Sequence, residues 1–179
     1  AKRLRDKTYK SWQYALNVPY WAGEKLAGQH LVVWADQGLG EQILAASLLG
    51  DIIDEAEKIT LACDPRLIPL FARSFPNISV VSIEAMRERG REIGSFDLQA
   101  SVSELGLVLR PDLTAFPKPK AFLKVDSDLV VKLKGDLARQ SKKKLVGISW
   151  QSENELAGEE KSIPLTKHWH NVLGIKHVK

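Results

Sequence analysis

The sequence predicts an α/β protein built on a Rossmann-like parallel sheet with helices on both faces. Three observations predict it. Short apolar, β-rich runs alternate with helix-forming stretches, each run ends in turn residues, and the first run passes through a glycine loop directly into a helix. Parallel neighbours require crossovers, and right-handed crossovers lay the helices against the sheet.

Taken in order, residues 7–20, KTYKSWQYALNVPY, carry aromatics at Tyr9, Trp12 and Tyr14 in a short helix that Pro19 ends. WAGEKLAGQ is a connector, and LVVWA (31–35) a strand buried on both sides. Trp34 is large for a doubly covered sheet, which places it near the sheet's end. Asp36 to Gly40 form a loop, and residues 41–58 have apolar positions at 43, 44, 48, 49, 52 and 53, an amphipathic period. ITLAC (59–63) is the second strand. Pro65 suits the first turn of a helix running to Ser74, with residues 67–70 packed on the sheet. SVVSI (79–83) and FDLQAS (96–101) are the third and fourth strands, and EAMRERGREIGS between them reads as a surface loop or short helix. A helix over 101–109 stops at Arg110-Pro111, a proline-punctuated extended segment follows, and Asp126 or Ser127 caps a helix through Gln140. LVGISW (145–150) is a further buried strand, trailed by the polar loop QSENELAGEEK and a helix over 166–173. The expected organisation is a helical tail and connector over 1–28, a Rossmann-like domain over 29–141, and over 142–179 the start of a second α/β domain that breaks off.

Composition excludes several classes. A hydrophobic fraction of 44% and a charged fraction of 27% are those of a globular chain. No apolar run approaches the roughly 20 residues that a membrane-crossing helix needs. The basic N-terminus, AKRLRDKTYK, has no apolar stretch behind it and is no secretory signal. One cysteine, Cys63, cannot form an internal disulfide, so the expected location is the cytoplasm. The net charge of +4 sits in the first ten positions and in Lys142-Lys143-Lys144, without zinc spacing or a base-stacking motif, so nucleic acid is not an expected partner.

The loop Asp36-Gln37-Gly38-Leu39-Gly40 and the following Glu41 form the best-specified candidate site. Ligands of open α/β sheets sit beyond the carboxyl ends of the strands, where this loop lies. Gly38 and Gly40 allow positive φ and close approach to the main chain, and the helix N-terminus favours anions or hydroxyl-rich ligands. The bland alternative is a tight βα turn. A dinucleotide fingerprint fails because Ile43 stands where the third glycine belongs, and no phosphate-loop pattern exists. Asp36-x-Gly38-x-Gly40, with Asp64 after the second strand, resembles the first motif of S-adenosylmethionine-dependent methyltransferases.

A longer resemblance exists. WAGEKLAGQHLVVWADQGLGEQILAASLL, ITLACDPRLIPLFARSFP, LVGISWQS and KSIPL, in this order, resemble the glycosyltransferase-like domain that follows tetratricopeptide repeats in many bacterial proteins, related to the heptosyltransferases of glycosyltransferase family 9. The resemblance covers residues 12 to about 173. It implies the N-terminal, acceptor-side part of a two-domain GT-B fold and an inverting transfer from a nucleotide-sugar to a hydroxyl-bearing acceptor, without a cofactor. It also implies upstream repeats, of which Trp12 and Tyr14 would be the tail. Glu41 falls where many relatives carry the aspartate proposed as general base, one methylene longer. Ser149, Trp150, Lys161 and Ser162 fall on the donor-phosphate side. With the second domain cut short, the chain alone is expected to be inactive. A non-catalytic binding module on the same fold is the remaining alternative.

No metal site is expected, since His168 and His170 point to different sides of a helix. Cys63 reads as a small buried hydrophobe, and Arg66 as a residue of a surface helix start rather than of a cleft.

Overall fold

The computed structural model of the 179-residue chain describes residues 16–35, 38–118, 120–140, 146–151, 162–163 and 169–174. The chain divides into two compact units, Ala1–Val125 and Asp126–Lys179.

The first unit is built on a parallel sheet of β1 (His30–Trp34), β2 (Lys58–Cys63), β3 (Ser79–Ser82) and β4 (Leu98–Ser101), in the order β3-β2-β1-β4. This is the α/β, Rossmann-like arrangement that the alternation predicts. The chain leaves β1 toward β2 and β3, then returns to β4 on the other side of β1. Strand order therefore reverses between β1 and β4, where open parallel sheets form their crevice.

Helices cover both faces. On one, α1 (Leu39–Ala46), α2 (Ile68–Ser74) and α4 (Val102–Leu109) pack over Leu31, Val33, Ile59, Leu61, Leu98 and Ala100. On the other, α3 (Ile83–Ile93) packs Ile83 and Met86 over Val32, Trp34 and Ala62. Every residue of β1 after His30 is buried, as a strand covered on both sides must be. Trp34 ends β1, as its size predicts.

Four expectations change. The helix expected over 41–58 is only α1, Leu39–Ala46, followed by a 3-10 turn at Leu49–Asp51. After Ala46 the backbone bonds tighten to three-residue spacing, and the Ser47 hydroxyl donates back to the Leu44 carbonyl at 2.7 Å, competing with helix continuation. Its buried stripe runs through Gln42 and Ala46, while Leu44 is 74% exposed. The polar stretch after β3, expected as a surface loop or short helix, is helical, kinked at Arg89 (φ −135°, ψ 28°), and packs into the core. Ser82 caps α3 by accepting from the Ala85 amide at 2.9 Å, and Ile83, Met86 and Gly90 turn inward. Residues 16–19 are not helical. They run beside β4 instead, where the Gln99 amide donates to the Pro19 carbonyl (2.9 Å) and Trp21 donates to the Gln99 carbonyl (2.8 Å). Residues 1–15, with the rest of the predicted first helix, lie outside the described residues.

The second unit contains α5 (Ser127–Gln140), capped by Asp126, whose carboxylate accepts from the Leu129 amide at 3.0 Å. Residues 146–150 form no strand, contrary to the apolar pattern of LVGISW, because a strand exists only where a neighbour pairs with it. Of the predicted last helix the described part is His170–Leu173.

Candidate functional site

All four strands point their carboxyl ends to one edge of the sheet, and four helical segments begin there. Three starts are capped from within. Asp64, after β2, accepts from the Arg66 amide at 2.9 Å and begins the 3-10 turn Pro65–Leu67, with Pro65 in its first turn as predicted. Ser82 caps α3, and Ser101 caps α4 in a reciprocal box, accepting from the Glu104 amide while the Glu104 carboxylate accepts from the Ser101 amide, both at 3.1 Å. The fourth start, α1, has Gly38 at its cap position and no side-chain cap bond.

Gly38 takes φ −63° and ψ 166°, and Gly40 is helical. Neither needs the left-handed backbone that two glycines in a loop suggest. Among the described residues only Gly23 (φ 104°) and Gly28 (φ 72°) take the positive φ that favours glycine. What Gly38 does supply is space: a Cβ there would lie 2.7 Å from Glu41 Oε2. The Glu41 carboxylate thus folds back from the third helical position over the cap, where the helix N-terminus attracts negative charge. Glu41 and Gly40 are exposed and Leu39 half-buried, at the crevice beside β4. Among the described residues no cation pairs with the Glu41 carboxylate. Asp36 and Gln37 lie outside them.

Sequence reasoning missed Gln42. It is 5% exposed, and its Oε1 accepts from the Asp64 amide at 3.0 Å, tying the first turn of α1 to the end of β2. The available signal was a polar residue four before Ala46 on the inward stripe, since a buried amide must be hydrogen-bonded.

Asp64 is engaged by Arg66, whose Nε and Nη2 donate to the two carboxylate oxygens at 2.9 Å. The Arg66 hydrogen bond holds the carboxyl below its ordinary range. Arg66 is largely exposed, as its place at a helix start predicts. Cys63 is fully buried, and burial, followed by the Asp64 and Glu84 charges, pushes its thiol from 9.0 up to about 12, so it is an inert core residue and no nucleophile.

In the second unit, Ser149 is exposed and Trp150 half-buried, and both line a shallow cavity of about 290 Å³ with Ile148 and Gln151. The Ile163 amide donates to the Trp150 carbonyl at 2.8 Å, which sets half-buried Ser162 beside this segment. Lys161 and His168 lie outside the described residues. Among those described, no group of three or more His, Cys, Asp or Glu side chains could hold a metal ion, and no helix is long and apolar enough to cross a membrane.

No family model and no solved structure matches the chain. It is similar to Protein FlbA of Caulobacter vibrioides, with 31% identity over 165 residues, which cover 86% of this chain. The chain spans 28% of that relative's length.

Proposed function

We propose that the first unit is the acceptor side of a nucleotide-sugar-dependent glycosyltransferase of GT-B type, with Glu41 as general base. The observation that carries the reading is the placement of Glu41, an exposed carboxylate on the first turn of α1 at the point where strand order reverses. It belongs to the one helical start at this edge with no side-chain cap bond among those described. In an inverting transfer the carboxylate takes the proton of an acceptor hydroxyl as its oxygen bonds to the anomeric carbon. The bond from that carbon to the nucleoside diphosphate breaks, and the diphosphate leaves with the electron pair. Ser149, Trp150, Lys161 and Ser162 are assigned to the donor phosphates, since hydroxyl and ammonium groups suit phosphate oxygens. The reading places the protein in the cytoplasm, in keeping with a single, buried, unpaired cysteine.

A methyltransferase reading is weaker here, because a cofactor ribose would have to displace Arg66 from Asp64. A recognition module on the same fold differs in one measurable respect, its indifference to the base. The test is Glu41→Gln in the protein that carries this chain, with nucleoside diphosphate release followed from UDP-, GDP- and ADP-sugars. Loss of a general base lowers turnover by roughly 10²–10⁴-fold. Turnover unchanged by the substitution would refute catalysis by Glu41, and an absence of diphosphate release from both forms would leave recognition.

A further inference from the structure

We propose that Gly38 is a positioning residue for Glu41. It is glycine because its missing Cβ is the space that the Glu41 carboxylate occupies, and not because a ligand or an unusual backbone requires it. The catalytic meaning of this assignment rests on Glu41 being the base.

Three observations converge. The backbone at Gly38, φ −63° and ψ 166°, is one that any residue adopts, so conformation does not select glycine. A Cβ would lie 2.7 Å from Glu41 Oε2 and 3.7 Å from its Cδ, and among the described residues, its chain neighbours aside, it meets no other atom within 4 Å, so the described group competing for that space is this carboxylate. Gly40, two residues on, has nothing within 4 Å of a Cβ, so the constraint belongs to position 38 alone. The helix behind the carboxylate is itself held. Gln42 is buried and bonded to the Asp64 amide, so a side chain added at 38 moves the end of Glu41 rather than the helix.

Gly38→Ala is a mild probe, since alanine suits the backbone and the clash is with the far end of a flexible side chain. The variant folds, and the carboxylate shifts by an ångström or so. Displacement of a reacting group on that scale costs roughly tenfold to a hundredfold in rate. Gly50→Ala serves as the control, because a Cβ at Gly50 meets nothing within 4 Å and the residue is outside the site.

The experiment has two readouts. In the 179-residue chain, labelled at glutamate carboxyls and assigned with Glu41→Gln, the Glu41 ¹³Cδ resonance is expected to move in Gly38→Ala and to stay in place in Gly50→Ala. An unmoved resonance in Gly38→Ala overturns the proposal whatever the protein catalyses. In the protein that carries this chain, kcat for nucleoside diphosphate release is expected to fall tenfold or more in Gly38→Ala, with the acceptor KM within about twofold. The same substitution in a Glu41→Gln background is expected to cost nothing further. An equal loss in that background overturns the positioning role. Full turnover by Glu41→Gln alone overturns the base assignment instead, and the carboxyl resonance still decides whether Gly38 sets where Glu41 lies.

Discussion

The two faces of the sheet are closed by different chemistry, although β1 contributes alternate residues of one apolar run to each. Under α1, α2 and α4 the contacts are almost wholly apolar: Leu31 and Val33 with Leu61, Leu98, Ala100, Phe71 and Leu105. Under α3 the same strands present His30, Thr60 and Gln99 among Val32, Trp34 and Ala62. There the His30 Nε2 and the Thr60 hydroxyl share a hydrogen bond at 2.8 Å, and the His30 ring packs at a tilt of 54° on Phe96 with centroids 4.6 Å apart. The Trp34 indole donates to Gln99 Oε1 at 3.1 Å, and Gln99 Nε2 donates to the Leu16 and Val18 carbonyls. The first face has a buried tether at its margin, Gln42 to the Asp64 amide, whereas the second carries a polar network within the sheet that ties residues 16–21 to the edge of β4. A dry face tolerates any well-fitting apolar residue, whereas the tethered face specifies which segment lies against it.

The largest break in this comparison is expected on the dry face. Phe71 is fully buried and packs against Phe75 with ring centroids 6.2 Å apart. Phe71→Ala should cost about 3–5 kcal/mol through lost burial and the cavity left behind, read as a lower urea midpoint. A smaller and more local break belongs to the tethered face. Gln99→Leu keeps the volume but removes the donor to the Leu16 and Val18 carbonyls, at about 1–3 kcal/mol. Hydrogen exchange should then speed up at the Trp21 amide before the rest of the sheet. Uniform acceleration would show that the tether is no more than part of the general packing.

The pH effects have opposite signs on the two faces. On the dry face the Cys63 thiol is raised from 9.0 to about 12, so the unfolded chain ionises first, and this stabilisation, complete below pH 9.0, is lost between there and about 12. On the tethered face burial lowers the pKa of His30 from 6.5, helped by Lys58 and opposed by the Ser95 backbone and Asp97. The unfolded histidine therefore takes up its proton first, and stability present above pH 6.5 declines as the pH falls below it. Urea midpoints across pH should show both limbs. Cys63→Ala should flatten the alkaline one and His30→Gln the acid one.

Much of this was legible in the chain. Alternation marked the β1–β4 segments, Trp34 announced the end of its strand, and Pro65 marked a helical start. The acid-bearing turn after β1 could be found because a glycine loop between a buried strand and a helix is a local pattern. What escaped was α1's true length, the packing of α3 into the core, the unpaired 146–150 run and the buried amides Gln42 and Gln99. Each depends on a partner far along the chain: Gln42 on Asp64, Gln99 on Leu16 and Val18, a strand on its neighbour.

The glycine loop carries both lessons. Local sequence determined that a turn, a helix start and a carboxylate would occur together at residues 38–41, because turn and capping chemistry act over four residues. Only the tertiary structure decided what holds that helix start in place. The answer lies in a hydrogen bond between residues 22 apart, which no local pattern encodes.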